Sequence, residues 1–126
     1  MRVVISATFL LAFAASAHGE PMAVRGAGAS TCAAYASYAE TYKSNPSEAN
    51  TYLTWAQGFM SGLNYGHLRT KDTLDLNPQA LQAFPIETQG RLLQQYCEQH
   101  PTMSFSAAVF ALWVEMRKSQ GLSAGP

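Results

Sequence analysis

Apolar residues recur three and four apart along most of the chain, and the breaks between runs fall at Pro, Gly and short polar clusters. In "CAAYASYAETYK", Cys32, Tyr35, Ala36, Ala39 and Tyr42 keep helical spacing, which predicts a first helix over 32–43. Ser30 or Thr31 caps it and "SNP" breaks it. The second helix has a strong start, with Asn45 as N-cap, Pro46 at the first helical position and Glu48 in capping-box position. Its apolar stripe is Ala49, Tyr52, Leu53, Ala56, Phe59, Met60 and Leu63, and it is expected to run to Gly66. Residues 67–77 read as a loop, and Asn77-Pro78 predicts a short fifth helix over 78–83. Pro85 opens a helix over 85–99, with Ile86, Leu92, Leu93, Tyr96 and Cys97 inward; "HP" ends it. Ser104 or Thr102 caps the last helix, 105–118, whose apolar positions are Phe105, Ala108, Val109, Leu112, Trp113 and Met116. Arg117 and Lys118 suit the negative end of its dipole, and Gly121 stops it. No strand pattern appears. The expected fold is all-α: a small bundle of four main helices plus the short fifth.

One stretch departs from ordinary helix composition. In "TWAQGFMSGLNYGHL", Gly58, Gly62 and Gly66 recur every fourth residue, each costing a helix about 1 kcal/mol relative to alanine. At 100° per residue they form a ridge along one edge of the apolar stripe, with Trp55 beside them. Gln57, Ser61 and Asn64 face the polar side. One reading is tight packing against alanine-rich surfaces, Ala33, Ala36 and Ala39 or Ala107, Ala108 and Ala111, whose close contacts would offset the glycine cost. The other is a groove or dimer seam flanked by Trp55, Phe59 and Tyr65.

The first residues change where this bundle is expected to work. Arg2, a mostly apolar run from Val3 to Ala14, and Ala15-Ser16-Ala17 have the form of a secretory signal peptide cut after Ala17. The apolar run is too short for a membrane span, which takes about 20 residues, and no later stretch approaches that length. The mature protein is expected outside the cytoplasm, in the periplasm if the source is Gram-negative. Residues 18–29 read as a flexible lead-in, 30–120 as the helical domain and 121–126 as a loose tail. In an exported chain the two cysteines, Cys32 and Cys97, read as a structural disulfide. The bridge closes a loop of a little over half the chain, worth about 4 kcal/mol by chain entropy.

Charge and chemistry narrow the function classes. The chain carries 8 Lys+Arg and 8 Asp+Glu, and losing Arg2 leaves one acid in excess. No basic patch stands out, which argues against a nucleic-acid partner. Charged residues are scarce, and a surface so poor in charge is expected to meet a protein partner or a second copy, a homodimer included. His67 has Asp72 and Asp75 nearby, His100 ends a helix and His18 opens the mature chain, yet GxSxG, HExxH and a phosphate-binding loop are absent. "GAGAS" at 26–30 follows no strand. Met22, Met60, Met103 and Met116 are spaced for core filling rather than copper binding. The reading is a non-enzymatic protein with no cofactor and no metal.

Four segments in order, "STCAAYASYAETY", "WAQGF", "LLQQYC" and "LWVEMRK", resemble the small periplasmic acid-stress chaperones of the HdeA/HdeB type. The resemblance covers about 30–118 and rests on the helix order and two cysteines, Thr31-Cys32 at a helix start and Cys97 in a later helix. It implies an all-α, disulfide-stapled chaperone behind a signal peptide. This chain departs from that family in its scarcity of Lys, Asp and Glu and in its glycine ridge. "GF..G" followed by "HP" and an alanine-rich last helix also resembles the Tai-type immunity proteins that neutralise injected toxins, without their second disulfide. The expected function is therefore an exported protein-binding module, an HdeA-like stress chaperone. The alternatives are an immunity or inhibitor protein with one cognate toxin, or a structural helical dimer.

Overall fold

A computed structural model describes residues 24–42 and 50–124. The expected signal peptide, His18, Met22 and the expected Asn45-Pro46-Glu48 cap lie outside the described residues. The architecture is all-α: α1 (Cys32–Tyr42), α2 (Asn50–His67), α3 (Ile86–Gln99) and α4 (Phe105–Ser119), with 3-10 turns at Gly26–Ala29 and Leu68–Thr70. No strand occurs among the described residues, and no helix there is long and apolar enough to cross a membrane.

Helix α4 is the centre, packed against the other three helices and the first 3-10 turn. Its Phe105, Ala108, Val109, Leu112, Trp113 and Met116 are all buried, the stripe that its periodicity predicts. Ser104 caps it, accepting from the Ala107 N–H at 3.3 Å. At the other end Gly121, at φ +73°, turns the chain so that the N–H groups of Gly121 and Leu122 bond the carbonyls of Lys118 and Arg117. Met60 of α2 and Leu93 of α3 complete the interior with Cys32, Tyr35 and Cys97. Phe105 is the hub of an aromatic cluster: its ring centre lies 4.5 Å from Tyr35, 5.0 Å from Tyr52 and 6.0 Å from Trp55.

Cys32 and Cys97 are bridged, with Cα atoms 4.6 Å apart. The bridge sits in a knot of backbone bonds. Thr31 caps α1, accepting from the Ala34 N–H, while the next N–H groups reach across the chain: Cys32 to Met103 O at 2.7 Å and Ala33 to Pro101 O at 3.0 Å. In return Phe105 N–H donates to Ser30 O at 2.8 Å. The starts of α1 and α4 and the end of α3 are thereby pinned at one point.

Four expectations are corrected. Residues 78–83 form successive turns rather than a helix. Ala80 and Leu81 N–H both bond Asn77 O, and burying Leu81 while delivering the chain to Pro85 ends the pattern after one turn. Ile86, assigned inward, is 43% exposed: it is the first residue of α3, and the buried stripe of that helix starts one turn on, at Gln89, Leu93 and Cys97. The tail is docked as far as Ser123, whose carbonyl accepts from Arg117 Nε at 2.8 Å.

The fourth correction concerns the lead-in. Its described part, from Val24, is folded, and Gly26–Ala29 packs on α2 and α4. The Trp55 indole N–H donates to Arg25 O at 3.0 Å and the ring covers Gly26 and Gly28. A Cβ at Gly28 would fall inside the Trp55 ring. Gly28→Ala is therefore expected to displace Trp55 at a cost of about 1–3 kcal/mol. Urea denaturation followed by tryptophan fluorescence checks this; unchanged stability and emission would mean that the turn is not seated on Trp55.

Candidate functional site

Helix α2 spans 18 residues, about 27 Å, without one Asp, Glu, Lys or Arg. Its inward side carries Ala56 and Met60, both buried. Two amides on its flank are structural rather than free. Gln57 Nε2 donates to Gln89 Oε1 at 2.7 Å, and Gln89, itself buried, donates to Phe84 O. Asn64 clamps the Leu74 backbone, donating to its carbonyl at 2.7 Å and accepting from its N–H at 3.1 Å. The polar side assigned to Gln57, Ser61 and Asn64 thus holds the helix to the 72–89 segment at two of its three positions.

The outward face is Thr51, Thr54, Gly58, Ser61, Gly62, Tyr65 and Gly66, all exposed. Tyr65 is 78% exposed, and Leu68, just beyond the helix, 56%. The predicted six-residue ridge divides. Trp55 and Phe59 stack on each other at 4.9 Å and pack against the core, while Gly58, Gly62, Gly66 and Tyr65 stay on the open side. A methyl added at any of the three glycines would meet no described atom within 4 Å. The tight internal contact with the alanines of α1 or α4 is not formed. The close approach that demands glycine lies instead at Gly28, a position at which periodicity is silent. The glycine cost on α2, about 3 kcal/mol in all, is left without compensation inside the described bundle.

A second feature escaped the sequence. Arg117, assigned to the helix dipole, is fully buried. Its Nη1 donates to Asp72 O at 2.6 Å, its Nη2 to Asp72 Oδ2 and, at 3.3 Å, to Ser123 Oγ. The guanidinium also lies 4.7 Å from the Trp113 ring centre, with His67 against the same indole at 5.5 Å. This latch ties the loop after α2 and the tail to the end of α4. Nothing local identified its partner, 45 residues away.

Of the histidine grouping, His67 lies against the Trp113 indole, and the two aspartates have partners of their own. Asp72 is engaged by Arg117 and Ser123, and Asp75 Oδ1 accepts from the backbone and side chain of Asn77. His100 lies against Tyr96, the ring centres 4.5 Å apart and the planes tilted by 40°. Met60 and Met116 are buried in the core, whereas Met103 is 45% exposed. Among the described residues no group of three or more His, Cys, Asp or Glu could hold a metal ion. No family model matches the chain, and no curated protein or solved structure matches it either.

The Ser123 hydroxyl and then Arg117, by hydrogen bonding, hold the Asp72 carboxyl below its ordinary range; partial burial opposes them. A carboxyl lowered on folding contributes stability that is fully present above its unfolded pKa of about 3.9 and is lost as pH falls through the folded value. Asp72→Asn should therefore melt below the parent protein at pH 7, and the gap should close as pH drops under about 4. Paired thermal melts across that range check it; a gap independent of pH would show that the ionised carboxylate contributes nothing.

Proposed function

We propose that this chain is an exported, non-enzymatic protein-binding module whose binding surface is the outward face of α2. The observation that carries the reading is an uncharged face with three glycines that no described residue covers and Tyr65 and Leu68 at its end. Desolvating Thr, Ser and Gly costs little compared with desolvating charges, and the missing side chains let a partner's backbone come close. The face is thus suited to apolar or helical segments of another protein. The disulfide fits an oxidising compartment, in keeping with the signal-peptide reading of residues 1–17.

Within this class we favour a stress chaperone of the HdeA-like type, and the Asp72–Arg117 latch supports that version. Acid removes the carboxylate and leaves a buried guanidinium without its counter-charge, a costly state that loosens the end of α4 and the loop after α2. An immunity protein needs no such response.

The test is light scattering from a globular client that precipitates at about pH 2, where carboxylates are neutral, with and without this protein. Slower aggregation, with the protection lost in Gly62→Arg, is the expected result. Unchanged aggregation would remove the chaperone version. A tight complex with a single toxin would then favour the immunity version. A dimer broken by Gly62→Arg without any client effect would leave the structural role.

A further inference from the structure

Helices α3 and α4 enclose an open groove of about 330 Å³. Leu92 and Tyr96 from α3 and Ala111 and Leu112 from α4 supply its apolar lining, and Gln95, Gln99 and Glu115 its polar rim. We propose that this groove binds an extended, uncharged stretch of polypeptide with alternate apolar side chains. The inference concerns a surface separate from the outward face of α2, and either can fail alone.

Three observations select that occupant. The first is charge. Glu115 is the one ionisable carboxylate of the lining, and Lys118 Nζ meets it at 2.7 Å. The groove is therefore electrically neutral and offers nothing to a charged ligand.

The second is the state of the rim amides. Gln57, Gln89, Gln94 and Gln120 spend their side-chain amides on internal hydrogen bonds. Gln95 and Gln99 have no such partner among the described residues. Each presents a donor and an acceptor, the complement of a peptide group's C=O and N–H. Four residues apart on a helix, they are about 6 Å apart along its axis. The two-residue repeat of an extended chain is about 6.6 Å, so the two amides match successive same-side peptide groups of a strand laid along α3. A helix, a second copy of α2 included, has its backbone groups engaged internally and leaves these amides unserved.

The third is size. A cavity of about 150 Å³ accepts a benzene-sized group, so this groove takes roughly two apolar side chains. An extended segment supplies them at alternate positions, on the face that the intervening backbone leaves free.

The probe is the blocked pentapeptide acetyl-Thr-Leu-Thr-Leu-Thr-amide with a C-terminal fluorophore, read by fluorescence anisotropy against the full-length exported protein. Saturable binding is expected, with no binding of the Thr-Lys-Thr-Lys-Thr counterpart. Ala111→Arg, which puts a charge over the apolar lining, should abolish binding while circular dichroism shows the helices intact. The Gln95→Ala/Gln99→Ala double variant should weaken it about tenfold by removing two hydrogen bonds. Both glutamines are exposed or rim positions, so this variant carries the test if Ala111→Arg does not fold. Four results would each overturn the proposal. They are no saturable binding, equal binding of the lysine peptide, affinity unchanged in the glutamine variant, and peptide binding lost through Gly62→Arg with the groove variants unaffected. A dimer dissolved by Ala111→Arg in sedimentation, without peptide binding, would make the groove a seam between copies and overturn it as well.

Discussion

The bundle hangs from the point where α1, α3 and α4 meet. The Cys32–Cys97 bridge joins residues 65 apart in sequence, which by loop-closure entropy stabilises the fold by about 4 kcal/mol. That is a large share of the roughly 5–15 kcal/mol that holds a small domain together. The bridge does not act alone. The first N–H groups of α1 bond Met103 and Pro101 carbonyls, and the first of α4 bonds Ser30, so helix ends that would otherwise need water are satisfied by each other. Phe105 follows at once, with Tyr35, Tyr52 and Trp55 around it. A second clamp, Arg117 on Asp72 and Ser123, closes the opposite end of α4. With α4 held at both ends, α2 is fixed by its inward stripe and by Gln57, Asn64 and Trp55 on its flanks, and among the described residues nothing covers its outer face.

Much of this was legible in the chain. The periodicity of 105–118 identified the buried face of α4, Ser104 and Gly121 marked its ends, and Pro85 with His100-Pro101 bounded α3 to within a residue. The cysteine pairing followed from there being only two. These signals are local, or so few in number that no choice remains. What failed was long-range. The buried guanidinium of Arg117 depends on a carboxylate 45 residues away, and a helical arginine near a C-terminus reads equally well as a dipole partner. Gly28 needs its missing side chain because Trp55, in another element, lies over it; "GAGA" carries no trace of that.

The glycines of α2 show the limit most clearly. Periodicity placed Gly58, Gly62 and Gly66 along one edge of the apolar stripe, with Trp55 beside them and Ser61 opposite; they lie on the exposed face together with Ser61, while Trp55 turns to the core. Periodicity could not say what faced that edge, since a side-chain-free ridge packs as well inside a bundle as against another molecule. The structure removes the inside alternative among the described residues, and with it the compensation that close packing would have brought. A cost of about 3 kcal/mol carried on an open, uncharged face is what makes that face the candidate for partner binding.

The measurement that tests this most directly is the triple variant Gly58→Ala/Gly62→Ala/Gly66→Ala, followed by urea denaturation and by client protection in acid. The account predicts a bundle more stable by up to about 3 kcal/mol that protects clients less well, because three methyls now stand where a partner must come close. A less stable bundle would mean that the ridge is packed internally after all, and a more stable one with undiminished protection would mean that the face binds nothing.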